Sequence, residues 1–211
     1  MQQTGHGWIV SKCTFTNNLF YDIAFAGGSY CIVSDSTFVN TYGIELATIV
    51  GTTAYYNSAI GNSLVNCNQI CAWTGGMFET VIGNSLVNCS GYSIQLNAPF
   101  SKAIGNTITN TNVAYSYAIH IGADNCSATQ NTINNIQGTN AKGIGIVTAS
   151  YAFVADNYIN KVRGYGIFIY DAPSTNTTIL QNVINSCGTL YSDSGTGTIY
   201  HNNILDGVWT P

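Results

Sequence analysis

The sequence predicts an all-β solenoid, a chain wound into a stack of similar coils. Three observations carry that expectation. One phrase recurs in phase along almost the whole chain. The apolar residues alternate with a period of two, and no stretch keeps the 3.6-residue period of a helix. Charged residues are only 7% of the 211, against roughly 25% in an ordinary soluble protein.

The phrase is plainest in "AIGNSLVNC" (59–67) and "VIGNSLVNC" (81–89), which match at eight of nine positions and start 22 residues apart. Used as a template, it fits segments 10–17, 33–40, 59–66, 81–88, 103–110, 128–135, 154–161, 179–186 and 199–206. The fourth position reads Cys13, Ser36, Asn62, Asn84, Asn106, Asn131, Asn157, Asn182 and Asn202. Its spacings are 23, 26, 22, 22, 25, 26, 25 and 20 residues. Seven consecutive Asn in one phase do not arise in a drifting low-complexity tract. The first and sixth positions are apolar in every copy, from Val10 and Phe15 to Ile199 and Ile204.

Between copies lies a second motif: "DIAFA" (22–26), "GIELA" (43–47), "QICAW" (69–73), "SIQLN" (93–97), "AIHIG" (118–122), "GIGIV" (143–147) and "GIFIY" (166–170). Its alternation marks a half-buried strand. After the eighth copy only "TLYSD" (189–193) remains, and the pattern fades. Each unit thus holds three short strands separated by turns. With one inward residue per strand repeated in phase, that is one coil of a parallel β-helix. About nine coils are expected, in a single domain over residues 1–211, stacked at ~4.8 Å.

Stacking gives the Asn column a cause. Asn tolerates φ > 0 better than other non-Gly residues, which suits a tight bend. A buried amide also needs partners, and a stack of amides supplies them. The expectation is an internal Asn ladder from Asn62 to Asn202, with the Asn making the bend. The seven Cys show no CxxC or Cys/His zinc spacing. They read as small buried residues, with Cys67, Cys89 and Cys187 sharing a column with Ile136 and Val162.

The "GN-x-[LI]-x-N" repeats and the "GI-x-[LI]" strands resemble those of the right-handed parallel β-helix superfamily, the pectate-lyase-like fold, over roughly residues 8–206. That superfamily includes polysaccharide lyases, glycoside hydrolases, uronate epimerases, phage tailspikes and surface adhesins. The resemblance is therefore specific for fold and not for chemistry. It implies that the outer face of the "GI-x-[LI]" strands lines a glycan groove. Ala24, Glu45, Cys71, Gln95, His120, Gly145 and Phe168 fall on that face, with Trp73, Asn97 and Tyr170 further along the same strands.

Weak catalytic candidates there are His120, Glu45, Asp124 and Asp171. Glu45 and His120 are three coils apart, about 14 Å, too far for a direct acid/base pair. Asp124 and Asp171 are two coils apart, about 10 Å, near the roughly 6.5–9.5 Å of inverting glycosidases. Each has a plainer reading. His120 and Glu45 are solvated surface residues, and the two Asp cap turns. The glycan-binding set is Trp73, Gln95, Asn97, His120, Phe168 and Tyr170, because flat amphipathic rings suit sugar faces. Phe78, Tyr92, Tyr115, Tyr117 and Tyr165 also fall on outward or loop positions around the groove. Lys142 lies near coils six and seven, and Lys161 and Arg163 flank a turn. No metal site is predicted, and Ca²⁺ has no supporting motif.

Composition excludes several partners. Five Lys+Arg against nine Asp+Glu leave a net charge of −4 and no patch to neutralise phosphates, so neither nucleic acid nor an anionic membrane surface is expected. No window approaches 18 apolar residues, so no membrane span is expected. The lead "MQQTGHGWIVSKC" lacks the basic start and apolar run of a signal peptide. Neither end carries a cap beyond one Trp in "DGVWTP", and open strand edges invite self-association or neighbouring domains. The expected function is an extracellular, cell-surface or virion module that recognises a polysaccharide or host-surface glycan without strong catalysis. The alternatives are a polysaccharide lyase or glycoside hydrolase using His120, Glu45 or Asp171, and a rigid structural spacer.

Overall fold

The computed structural model describes residues 2–3, 6–47, 54–112, 116–170, 174–206 and 208–210, with backbone alone at 2–3, 47 and 208–210. All regular structure among them is β. One coil runs through Ser58–Ile60, Ser63–Val65 and Gln69–Ala72, then returns to Thr80–Ile82 on the next level. Equivalent strands pair in parallel and in phase, as in Ser63↔Ser85, Leu64↔Leu86 and Val65↔Val87. The repeats thus build three sheets, here called first, second and third in the order the chain visits them.

Eight coils are complete among the described residues, one fewer than the nine expected. The ninth copy supplies only Ile199–His201 and Asn203–Leu205. Its register also differs by one residue from the sequence template. Ile179 pairs with Tyr200 and Ile184 with Leu205, so Asn203, not Asn202, enters the ladder. The template chose Asn202 because two Asn stand side by side and periodicity cannot rank them. After Leu205 the strand Val208–Thr210 folds back antiparallel on Asn203–Leu205 and covers the second sheet's edge. "TLYSD" is still a strand, paired with Tyr165–Tyr170, although its alternation is worn.

The core is a set of columns. Ile23, Ile44, Ile70, Ile94, Ile119, Ile144 and Ile167 are buried in the third sheet, and Phe38, Leu64, Leu86, Ile108, Ile133, Ile159 and Ile184 in the second. Cys31, Cys67, Cys71, Cys89 and Cys126 are buried thiols, Cys187 is half-buried and Cys13 is exposed. Each coil-to-coil step thus repeats a like-on-like apolar contact, which stabilises by about 25 cal/mol per Å² removed from water.

The Asn ladder exists, with a different cause at the bend. Asn62 donates to Asn84 Oδ1 from both its backbone N–H (2.9 Å) and its Nδ2 (3.0 Å). Asn84, Asn106, Asn131, Asn157 and Asn182 each donate in the same way to the next member, ending at Asn203. These Asn are buried and do not carry the positive φ. The preceding residue does: Gly61, Gly83, Gly105, Gln130, Asp156 and Gln181. A second, exposed Asn ladder marks the next bend, where Asn40, Asn66 and Asn88 do have φ > 0. There Asn88 donates to Asn66 (2.8 Å) and Asn66 to Asn40 (2.9 Å), the reverse polarity.

The third bend is made by bulky residues. Tyr30, Tyr56, Phe78 and Phe100 all have φ near +60. That conformation costs an L-residue roughly 1–2 kcal/mol. Their rings stack one per coil, at 5.3, 5.0 and 5.0 Å between centroids. Such pairs return about 0.5–1.5 kcal/mol each beyond their buried area, which offsets part of the strain.

Candidate functional site

The outer column of the third sheet runs Ala24, Glu45, Cys71, Gln95, His120, Gly145, Phe168 and Ser192, each paired with the next. Because the flanking Ile and Leu turn inward, these side chains leave through the outer face. They are nonetheless covered. Glu45 is 8% exposed, Cys71 0%, Gln95 6% and His120 9%. The solvated alternative for Glu45 and His120 is thereby excluded.

The cover is a second outer column, three residues upstream on the later strands: Tyr92, Tyr117, Lys142 and Tyr165, again paired in order. Tyr92 stacks on His120, 4.8 Å between centroids and 19° between planes. Tyr117 meets Tyr92 and His120 edge-on, at 5.0 and 5.2 Å. Lys142 Nζ lies 4.9 Å from the Tyr117 centroid and 5.3 Å from that of Phe168. Phe168 touches Tyr165 (4.8 Å) and Tyr170 (5.7 Å), and Tyr170 is 48% exposed. An aromatic-lined stripe thus crosses four coils.

Two buried polar atoms beneath the stripe have no partner among the described residues, His120 Nδ1 and Asn97 Oδ1. Gly122 admits both side chains, since a Cβ there would lie 2.3 Å from Asn97 Oδ1 and 2.8 Å from His120 Cε1. Burial drives the His120 imidazole down to about 4, so it is neutral at physiological pH.

Nearer the N-terminal end the cover is Tyr21, from the loop ahead of the strand Ile23–Phe25. Its hydroxyl accepts from Gln69 Nε2 at 2.9 Å. Burial first, then the neighbouring Cys71, raise the Tyr21 hydroxyl above its ordinary range, while hydrogen bonds from Gln69 and Trp73 work against this. Cys71 Sγ donates to Gln95 Oε1 at 3.4 Å. Burial pushes the Glu45 carboxyl up to about 7. The acid and the imidazole remain three coils apart, about 14 Å, and do not act on one proton.

Of the residues singled out from sequence, Glu45, Gln95, Asn97, His120, Phe168 and Tyr170 share this face, and Trp73 borders it beside Tyr21. Asp124 sits in an exposed turn, where its Oδ1 accepts from the Ser150 N–H at 2.7 Å. Phe78 belongs to the stack at the third bend, not to the groove. Lys161 and Arg163 are exposed. Asp171 and Tyr115 lie outside the described residues. Sequence reasoning missed Tyr21, which lies between motifs, and Glu79, a fully buried carboxyl at the third bend. The third bend was itself legible: Tyr30, Tyr56, Phe78 and Phe100 are spaced 26, 22 and 22, like Ser36, Asn62, Asn84 and Asn106. Among the described residues no three His, Cys, Asp or Glu gather as a metal site.

No family model matches the sequence, and no curated protein does. Solved structures do match. The periplasmic alginate epimerase AlgG superimposes with a TM-score of 0.58 at 12% identity, over 95% of this chain and 47% of the epimerase. The chain therefore spans about half of that protein's length. The surface protein and adhesin PfbA of Streptococcus pneumoniae matches with a TM-score of 0.35 at 9% identity, over 95% of this chain and 68% of the adhesin. With the epimerase superposition and the in-phase parallel pairing, the fold is the right-handed parallel β-helix, and at 12% identity that likeness extends to fold alone.

Proposed function

We propose that the outer face of the third sheet is a carbohydrate-recognition surface, on a module exposed outside the cell or on a virion. The observation that carries this is the aromatic stripe from Tyr92 to Tyr170, beneath which His120 Nδ1 and Asn97 Oδ1 have no partner among the described residues. Rings supply apolar faces for sugar C–H groups, and their hydroxyls supply hydrogen bonds at the rim. A surface poor in charge and rich in Asn, Ser, Thr and Tyr fits a neutral, heavily hydrated ligand. The reading rests on the face and not on the shared fold, which does not transmit chemistry.

Recognition is favoured over turnover because the Glu45 carboxyl and the His120 imidazole on the face are separated and individually desolvated. A glycan array followed by calorimetry tests it. Tyr170→Ala is expected to weaken the best ligand about tenfold, the loss of roughly 1–2 kcal/mol of stacking. An array on which no glycan binds above background would defeat the proposal. An enzymatic reading has one observation in its favour, the Glu45 carboxyl held near 7 beside Tyr21 and Cys71. Release of reducing ends or unsaturated products from any polysaccharide, abolished by Glu45→Gln, would establish it instead.

A further inference from the structure

The outer column carries a side chain at every level of the central coils except one. Gly145 lies between His120 and Phe168, and its bare backbone makes a notch in the face. Tyr117 fills that notch. A Cβ built on Gly145 would lie 2.1 Å from Tyr117 Cε1 and 2.2 Å from Cδ1, so the ring rests directly on the strand. The third-nearest atom, 3.5 Å away, is also Tyr117's, so nothing else crowds the position. The notch is two inter-strand spacings across, about 9.6 Å. A six-membered ring demonstrably fits it.

The walls are chemically mixed. The Tyr92–His120 stack forms one side, Phe168 with Tyr165 the other, and Lys142 Nζ faces the Tyr117 ring itself. Tyr117 is only half-buried. Its backbone is fixed in the sheet by pairing to Tyr92 and Lys142, so a side-chain rotation alone can take the ring off the notch. Rotation would uncover the His120 edge that the ring now meets and leave the Lys142 ammonium facing the vacated space.

We propose that Tyr117 is a displaceable lid, and that the notch at Gly145 is the seat of one pyranose ring of the bound glycan. This rests on the carbohydrate reading above. The sugar takes the place of the Tyr117 ring, lays its C–H face on the Gly145 backbone, and turns its hydroxyls to His120 and Lys142. The lid keeps an apolar floor dry until a ring of the right width replaces it, and displacing it lowers the apparent affinity of the closed form.

The test uses the whole chain with four probes: cellohexaose, mannohexaose, polygalacturonate and alginate. Binding is compared in wild type, Tyr117→Ala, Gly145→Ala, the Tyr117→Ala/Gly145→Ala double variant and Tyr170→Ala. For whichever probe binds, Tyr117→Ala is expected to tighten binding several-fold. Gly145→Ala is expected to weaken it at least tenfold. The double variant has no ring to clash with its methyl, so it folds even if Gly145→Ala does not, and it is expected to lose the gain of Tyr117→Ala. A probe seen only by Tyr117→Ala also supports the lid. Tyr117→Ala weakening binding as Tyr170→Ala does would make the ring a platform and overturn the lid. Binding lost in Tyr170→Ala but indifferent to every change at 117 and 145 would overturn the seat and keep carbohydrate recognition. Silence of all variants towards all four probes overturns both.

Discussion

Glu79 is the residue whose chemistry fits its surroundings least. It is fully buried; Oε2 accepts from the Asn57 N–H at 2.7 Å, and Oε1 has no partner among the described residues. Burial raises the carboxyl to about 9, against the opposing pull of the Asn57 bond, so it is protonated at neutral pH. In the unfolded chain it ionises near the ordinary value of about 4.3. Between those two values the folded state holds one more proton than the unfolded state. Stability is thus fullest below the unfolded value and falls as pH rises towards the folded one, by about 1.4 kcal/mol per pH unit. Between about pH 7 and 8 Glu45, half titrated near 7, and the buried thiols, which ionise near 8.5 once unfolded, add slope of the same sign, so the Glu79 contribution is the difference between wild type and Glu79→Gln. Urea titrations across that window should show the wild-type midpoint falling with pH more steeply than that of Glu79→Gln. Equal slopes would place an ionised Glu79 in the folded protein. His120 acts in the opposite direction. Its folded value near 4 lies below the ordinary one of about 6.5, so its contribution is lost as pH falls through that interval.

At the scale of elements, the coil is specified by its three bends more than by its strands. Each strand is short, and Ser58–Ile60 alone would not hold together. The bends lock neighbouring coils through ladders of fixed polarity. The inner ladder is cooperative in a checkable sense. Asn106 accepts from both the backbone and the side chain of Asn84, and donates to Val81 O and Asn131 Oδ1. Asn106→Ala orphans buried groups on both sides, at a cost of about 3 kcal/mol or more. Asn203→Ala removes the acceptor of both Asn182 donors and the donor to Ile179 O, but as the ladder's last member it passes no Asn–Asn bond onward. It should cost clearly less. Thermal melts of the two variants measure the difference, and equal losses would mean that the ladder is a row of independent bonds.

The whole molecule is a one-dimensional stack, so its length is adjustable in units of one coil. Residues 85–106 span one repeat, from the position after Asn84 to Asn106 itself, and their removal rejoins Asn84 to Thr107 in phase. The shortened chain should fold with unchanged β-sheet circular dichroism and lose about 4.8 Å in length by small-angle scattering. It also removes Tyr92, Gln95 and Asn97, one side of the carbohydrate face, so binding should weaken while the fold persists. A deletion that collapses the fold would mean that coils four and five are not interchangeable units.

Much of the coil was legible in the sequence for the same reason that it repeats. Like residues stack on like, so the Ile and Leu columns, the buried Asn and the outward series Glu45, Cys71, Gln95, His120, Gly145 and Phe168 all follow from phase alone. Periodicity failed where the chain offered two equivalent letters, at Asn202 and Asn203. At Tyr30, Tyr56, Phe78 and Phe100 the period was present but the residue types did not mark a turn. Periodicity could not locate a site either, because a site is made by departures from the repeat. Only the tertiary structure decides that Tyr92 leans onto His120, that Tyr117 drops onto Gly145, and that Lys142 lies between two rings. Those contacts join residues of different columns on neighbouring coils. They are set by side-chain size and rotamer across the face, and a one-dimensional period carries no information about that direction.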